Sequence, residues 1–146
     1  MCRGAENGMI VLIDLDHTLK RSKRLYPDAV LVLQSLREAG HTLVLFSHNK
    51  RAERKAKRYG IHHWFDHIVA GCKDMCKEWN WQEVQELYQL VPASNTILFD
   101  DSPIHVAAHR ARGGNAIRVK KGLQFHHITH LLPWDEVFGY SLSHAA

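Results

Sequence analysis

Three stretches constrain the fold most: "MIVLID" (9–14), "HTLVLFS" (41–47) and "NTILFDD" (95–101). Each is a short apolar, partly β-branched run without alternation, and each ends on polar side chains. Runs of this kind belong to strands covered on both faces, the condition inside a parallel sheet. Parallel strands need long crossover connections, and helix-like segments lie between the runs. "DAVLVLQSLREAG" (28–40) sets Val30, Leu33 and Leu36 at helical spacing, with Asp28 as a candidate cap and Gly40 as a stop. "NKRAERKAKRYG" (49–60) reads as a basic helix and "IHVAAHRARGG" (104–114) as another. "KEWNWQEVQELYQL" (77–90) is amphipathic, with Trp81, Val84, Tyr88 and the following Val91 near one face. "FDHIVAG" (65–71) and "NAIRV" (115–119) supply two more strands. The sequence therefore predicts an α/β protein of three-layer α/β/α, Rossmann-like form, with a mostly parallel sheet of about five strands. "HTLKRSKRLYP" (17–27) reads as a loop or flap. Residues 120–146 read as a partly helical tail on a core of 9–119, all within one domain over 1–146.

Composition excludes several classes. Hydrophobic residues at 45% and charged residues at 23% suit a globular domain, and no run of apolar residues is long enough to cross a membrane. "MCRGAENG" lacks the apolar region of a signal peptide. Cys2, Cys72 and Cys76 are an odd set at no disulfide-framework spacing, so a reducing, intracellular location, cytoplasmic or nuclear, is expected. Zinc is disfavoured, because Cys72 and Cys76 lack a matching histidine pair despite His62–His63 and His126–His127. Trp64, Trp79, Trp81 and Trp134 are expected to pack rather than to bind a ligand. The net charge of +4 points mildly towards an anionic partner.

The chemistry lies at the strand ends. The first run delivers Asp14 with Asp16 beyond it, the second Ser47, the fourth Asp100 and Asp101. Ligands of open α/β sheets bind beyond the carboxyl ends of the strands, so these side chains should gather at one edge. Alone, an aspartate after a strand is a turn or cap residue as readily as a catalytic one. Acids on two strand ends with a hydroxyl on a third are harder to explain that way. Several carboxylates at one point repel and call for a cation, and an all-oxygen site with few ligands suits Mg²⁺.

"DLDHTL" (14–19), "LVLFS" (43–47), a lysine ahead of the last acidic strand and "ILFDDSP" (97–103) resemble, in order, the four motifs of the haloacid-dehalogenase-like superfamily. The likeness spans roughly residues 9–119. It is strongest to small magnesium-dependent phosphatases with an "FDD" fourth motif, and "DDSP" is similar to the "DNSP" of RNA polymerase C-terminal-domain phosphatases. The resemblance implies that Asp14 is the nucleophile, forming an aspartyl-phosphate, and Asp16 the general acid–base. It also implies that Asp14, the Asp16 backbone carbonyl, Asp100 and Asp101 serve Mg²⁺, and that Ser47 and a lysine hold the phosphoryl group. Lys77, at a helix start, is the favoured lysine and Lys73 the alternative. Thr18 is expected to hold the turn. The acid at position 16 favours phosphate-ester hydrolysis over dehalogenation.

The segments from Asp14 to Ser47 and from Ser47 to Lys77 leave no room for a cap domain, so an open site suited to a phosphoprotein or other bulky substrate is expected. Basic runs at 20–24 and 50–58 begin near that edge, with Lys20, Arg21, Lys23 and Arg24 as a rim for an anion. Nucleic-acid ends, small phosphoesters, transfer to an alcohol acceptor, a non-catalytic scaffold for phosphorylated ligands and plain nucleic-acid binding are the alternatives. No nucleic-acid motif appears, and oligomeric state and substrate are not encoded legibly.

Overall fold

A computed structural model describes residues 8–71 and 77–133. Five strands form one all-parallel sheet: β1 (Ile10–Ile13), β4 (Thr42–Ser47), β5 (His67–Ala70), β6 (Thr96–Asp100) and β7 (Asn115–Arg118), in the order β5-β4-β1-β6-β7. Between β1 and β4 the chain forms a two-stranded antiparallel hairpin, β2 (Lys20–Arg21) and β3 (Arg24–Leu25). The region expected to be a loop or flap is therefore an ordered hairpin, with Ser22 in the left-handed region (φ 54°) at its two-residue turn.

Four helices link the strands: α1 (Ala29–Glu38), α2 (Ala52–Arg58), α3 (Lys77–Leu87) and α4 (Pro103–Ala111). Alternation along each strand divides the core in two. Val11 and Ile13 of β1, with Leu43, Leu45, Ile97 and Phe99, face α1 and α2. Ile10 and Leu12, with Val44, Phe46 and Leu98, face Trp81 and Val84 of α3 and Val106 of α4. Both faces of β1 are buried, which is why its sequence shows no alternation. This is the expected three-layer α/β/α architecture.

The details differ in three places. The buried stripe of α1 runs through Ala29, Val32, Leu33 and Leu36, while Val30 faces solvent, because the layer beneath lies one residue round the helix from the stripe read off the sequence. Asp28 stands at the N-cap position without capping; its Oδ2 accepts instead from the Phe125 backbone N–H at 2.9 Å. Lastly, residues beyond 119 are part of the core. Leu123, Phe125 and Ile128 are buried against the α1 face, and among the described residues of this segment, 120–133, the helical parts are two 3₁₀ turns, Phe125–His127 and Thr129–Leu131. The Leu123 N–H donates to the Thr18 carbonyl at 2.8 Å, and His41 bridges the Met9 N–H and the Leu131 carbonyl at 3.0 and 2.6 Å. This strap ties the end of the described chain to the turn after β1. No described helix is long and apolar enough to cross a membrane.

The strand order also places the site. From β1 the chain winds first to β4 and β5, then crosses to β6 and β7 on the other side, so the connections diverge at the carboxyl end of β1. Such a switch point opens a crevice between the loops after β4 and β6.

Candidate active site

Asp14 follows directly on β1, and its N–H donates to the Phe99 carbonyl at 3.0 Å, extending the β1–β6 ladder by one step. Ser47 and Asp100 are the last residues of β4 and β6. All three are buried, Asp100 completely. Asp14, Asp100 and Asp101 each bring a carboxylate oxygen within 4.8 Å of the other two. Three acids at this separation repel strongly at low dielectric unless a cation lies among them. The residues fit a hard, oxygen-seeking ion: every donor is a carboxylate, two are buried, and no thiol or imidazole completes the cluster among the described residues. A cavity of about 310 Å³ opens above it, lined by Asp14, Asp16, Ser47, Asn49, Asp101 and Ser102 and by three histidines considered below.

Local folding fixes each acid. The turn after β1 is tight: the N–H groups of Leu19 and Lys20 both donate to the Leu15 carbonyl, at 2.9 and 3.1 Å. Thr18 is buried within it, its hydroxyl 3.5 Å from Asp14 Oδ2. Thr18 holds the turn, as the sequence reading expected. Asp100 Oδ1 accepts from the Ser102 N–H at 2.9 Å, and Ser102 caps α4 by accepting from the His105 N–H, with Pro103 in the first turn. The Asp101 carbonyl accepts from Arg118 Nε at 3.1 Å.

Asp16 is held by three side chains. Lys20 Nζ lies 2.9 Å from Oδ1, Lys55 Nζ lies 3.8 Å from the same oxygen, and Asn49 Nδ2 donates to Oδ2 at 2.9 Å. Partial burial pushes its carboxyl up, but the Asn49 hydrogen bond, the hydrogen bond and charge of Lys20, and the charge of Lys55 outweigh it. The net position is below the ordinary carboxylate value. Asn49 is itself held: its N–H donates to Ser47 Oγ at 3.0 Å and its Oδ1 accepts from the Arg51 N–H at 2.9 Å.

This clamp corrects one expectation. Lys20 is buried and committed to Asp16, so it is no part of an open cationic rim; Arg21, Lys23 and Arg24 remain exposed. The pleat of the hairpin explains the split, since Lys20 points inward under the turn. The sequence reading also missed Asn49 and the histidines His17, His48 and His105, which line the cavity. His48 and His105 meet edge to face at 5.3 Å, and His105 Nδ1 stands 3.3 Å from Asp100 Oδ2, close but poorly aligned for a hydrogen bond. A usable signal existed: "SHN" and "DDSPIH" continue directly from strand ends already marked as functional. Of the two lysines, Lys73 lies outside the described residues. Lys77 is the first residue of α3, and Asn80 in the same turn donates from Nδ2 to the Ser47 carbonyl at 2.8 Å.

Known structures share this arrangement of elements. A haloacid dehalogenase-like family protein from Streptococcus pneumoniae superposes with a TM-score of 0.68 at 15% identity, over 92% of this chain and 99% of its own. A protein named as a candidate phosphatase from Clostridium difficile gives 0.69 at 16%, over 87% and 92%. CbbY from Rhodobacter sphaeroides, solved with phosphate, gives 0.62 at 12%, over 81% and 87%. At these identities the likeness establishes the fold. Comparison with curated protein sequences gives no match. The sequence model of the haloacid dehalogenase-like hydrolases matches residues 5–113, most of the chain, and spans the strand ends that carry Asp14, Ser47, Asp100 and Asp101. With fold, motif order and sequence model in agreement, the chain belongs to the haloacid dehalogenase-like hydrolase family.

Proposed function

We propose that the protein is a Mg²⁺-dependent phosphatase that hydrolyses phosphate monoesters through an aspartyl-phosphate on Asp14. The observation that carries this reading is the convergence of Asp14, Asp100 and Asp101 within 4.8 Å at the switch point, with Ser47 and Asp16 lining the same cavity. Asp14, Asp100, Asp101 and the Asp16 backbone carbonyl would hold the ion. It supplies positive charge for the phosphoryl oxygens and keeps the nucleophile ionised.

In this reading an Asp14 carboxylate oxygen attacks phosphorus as the ester P–O bond breaks, and the leaving oxygen takes a proton from Asp16. A water then gives one of its own protons to Asp16 as its oxygen attacks phosphorus and the Asp14 O–P bond breaks, releasing phosphate and restoring both carboxyl groups. Ser47 donates its hydroxyl to a phosphoryl oxygen. Lys77 would be the second phosphoryl-holding residue; its position three residues before Asn80 in the first turn of α3 supports it over Lys73. Asp16 is clamped as an anion before substrate arrives, and an anion cannot act as an acid. The incoming phosphoryl charge offsets Lys20 and Lys55 and favours proton uptake, so the clamp serves to store Asp16 beside the cavity in a fixed rotamer.

The segments that could carry a cap hold only a hairpin, helices and sheet strands among the described residues, which supports an open, capless site and a substrate larger than a metabolite. The single-domain reading over 1–146 goes with it. A generic aryl phosphate tests the activity: turnover should vanish with EDTA and return with Mg²⁺. A product phosphorylated on an added alcohol would indicate a phosphotransferase instead. Tight binding of phosphorylated ligands without turnover would indicate a scaffold.

A further inference from the structure

The two basic runs that are separate in sequence form one surface in the fold. Helix α2 starts just after Asn49, which lines the cavity, and Lys55 on its inner side reaches Asp16. At its far end the Tyr59 hydroxyl donates to the Ser22 carbonyl at 3.4 Å, at the tip of the β2–β3 hairpin, and Lys20 Nζ lies 5.7 Å from the Tyr59 ring centre. Helix and hairpin therefore run side by side away from the cavity mouth. The hairpin exposes Arg21, Lys23 and Arg24, and the helix with the two residues leading into it exposes Lys50, Arg51, Arg54, Lys57 and Arg58. The helix's one acid, Glu53, is matched by Lys57 at 3.6 Å.

We infer that this strip is the substrate-binding surface for a single-stranded polynucleotide whose terminal phosphate enters the cavity. The inference rests on the phosphatase reading and specifies its substrate class. Three features favour a nucleic acid over an acidic phosphopeptide. Five of the eight exposed cations are arginine, whose planar fork suits phosphate oxygens. The large exposed apolar residues among those described, Val30, Leu87, Leu90 and Ile104, all lie off the strip, where Leu25 and Tyr59 are only half-exposed, so little apolar surface is offered to peptide side chains. The charge forms a track leading from the catalytic mouth rather than a pocket around it, which matches a backbone of repeated phosphates. Residues 51–59 span roughly 12 Å at about 1.5 Å per residue. At about 3.4 Å per nucleotide of one strand, that accommodates about four nucleotides.

The test measures kcat/KM for oligodeoxynucleotides of increasing length carrying a terminal phosphate at either end, for an acidic phosphoserine peptide of matched charge, and for p-nitrophenyl phosphate. For oligonucleotides, kcat/KM should rise at least about tenfold up to about four nucleotides and then level off. Three phosphate contacts would give a log–log salt slope near −2, at roughly −0.7 per contact. The triple variant Arg24→Gln, Arg54→Gln, Arg58→Gln should flatten both the length and the salt dependence while leaving p-nitrophenyl phosphate turnover unchanged, which also reports an intact fold. Length-independent turnover, or better use of the peptide, would overturn the inference. Anisotropy with an unphosphorylated fluorescent oligonucleotide separates the two levels. Length-dependent binding lost in the triple variant, with no aryl-phosphate turnover by the parent, would sink the phosphatase reading and leave the strip as a nucleic-acid surface.

Discussion

At Asp16, one ammonium and one amide each hold a carboxylate oxygen at 2.9 Å. This arrangement fixes the rotamer in which the proposed proton carrier sits. Asn49→Ala removes the partner of Oδ2, and the carboxylate then samples other rotamers. We expect kcat to fall about tenfold for alkyl phosphates, whose poor leaving groups need a well-placed proton, and much less for p-nitrophenyl phosphate. A leaving-group series in parent and variant measures this. An equal loss across the series would mean that Asn49 serves only the loop. The acids at 14, 16, 100 and 101 were legible because they follow unbroken apolar runs. Asn49 and Lys20 were not, because their contacts join a turn, a hairpin and a helix start that only tertiary folding brings together.

Among the elements, the strap from 119 to 131 was the least legible in sequence. Its apolar residues Leu123, Phe125 and Ile128 follow neither a strand nor a helix period, since the backbone is held in 3₁₀ turns by contacts to Thr18, Asp28 and His41. The strap carries His127 and His130. Burial lowers both below the ordinary histidine value, and the neighbouring rings of His126 and His41 respectively add to it. A base lowered on folding favours the native state in its neutral form. Its contribution is complete above the unfolded value near 6.5 and fades as the pH falls through the folded value. Hydrogen exchange should therefore show the amides of 125–131 losing protection as pH falls below about 6.5, while those of β1 hold; unchanged protection would contradict the assignment. At Gly122 the backbone is in the left-handed region (φ 87°) and a Cβ would collide with the Tyr26 ring. Gly122→Ala is thus expected to cost about 2 kcal/mol or more in urea unfolding, against less than about 0.5 kcal/mol for an unstrained surface change.

For the whole molecule, strand–helix alternation made a parallel sheet legible but not the strand order, which depends on where the chain turns back across the sheet. Unbroken strands must be internal, crossovers are right-handed, and a chain that turns back at β1 leaves its crevice there. The two core layers then set stability: Leu36→Ala, fully buried on the inner face of α1, should cost about 2–5 kcal/mol. The acid cluster opposes folding until it is neutralised. Asp101→Asn should therefore raise Tm in EDTA and abolish the further rise that Mg²⁺ gives the parent; an unchanged Mg²⁺ shift would remove Asp101 from the ion's ligands. The most direct test concerns the covalent step at Asp14. Acid quench during turnover of an aryl phosphate with Mg²⁺, followed by peptide mass spectrometry, should find a phosphoryl group on Asp14. Asp14→Asn should fold with a Tm in EDTA no lower than the parent's, carry no phosphoryl group and lose turnover by at least about a thousandfold. A phosphoryl group on another residue, or full turnover by Asp14→Asn, would contradict the mechanism.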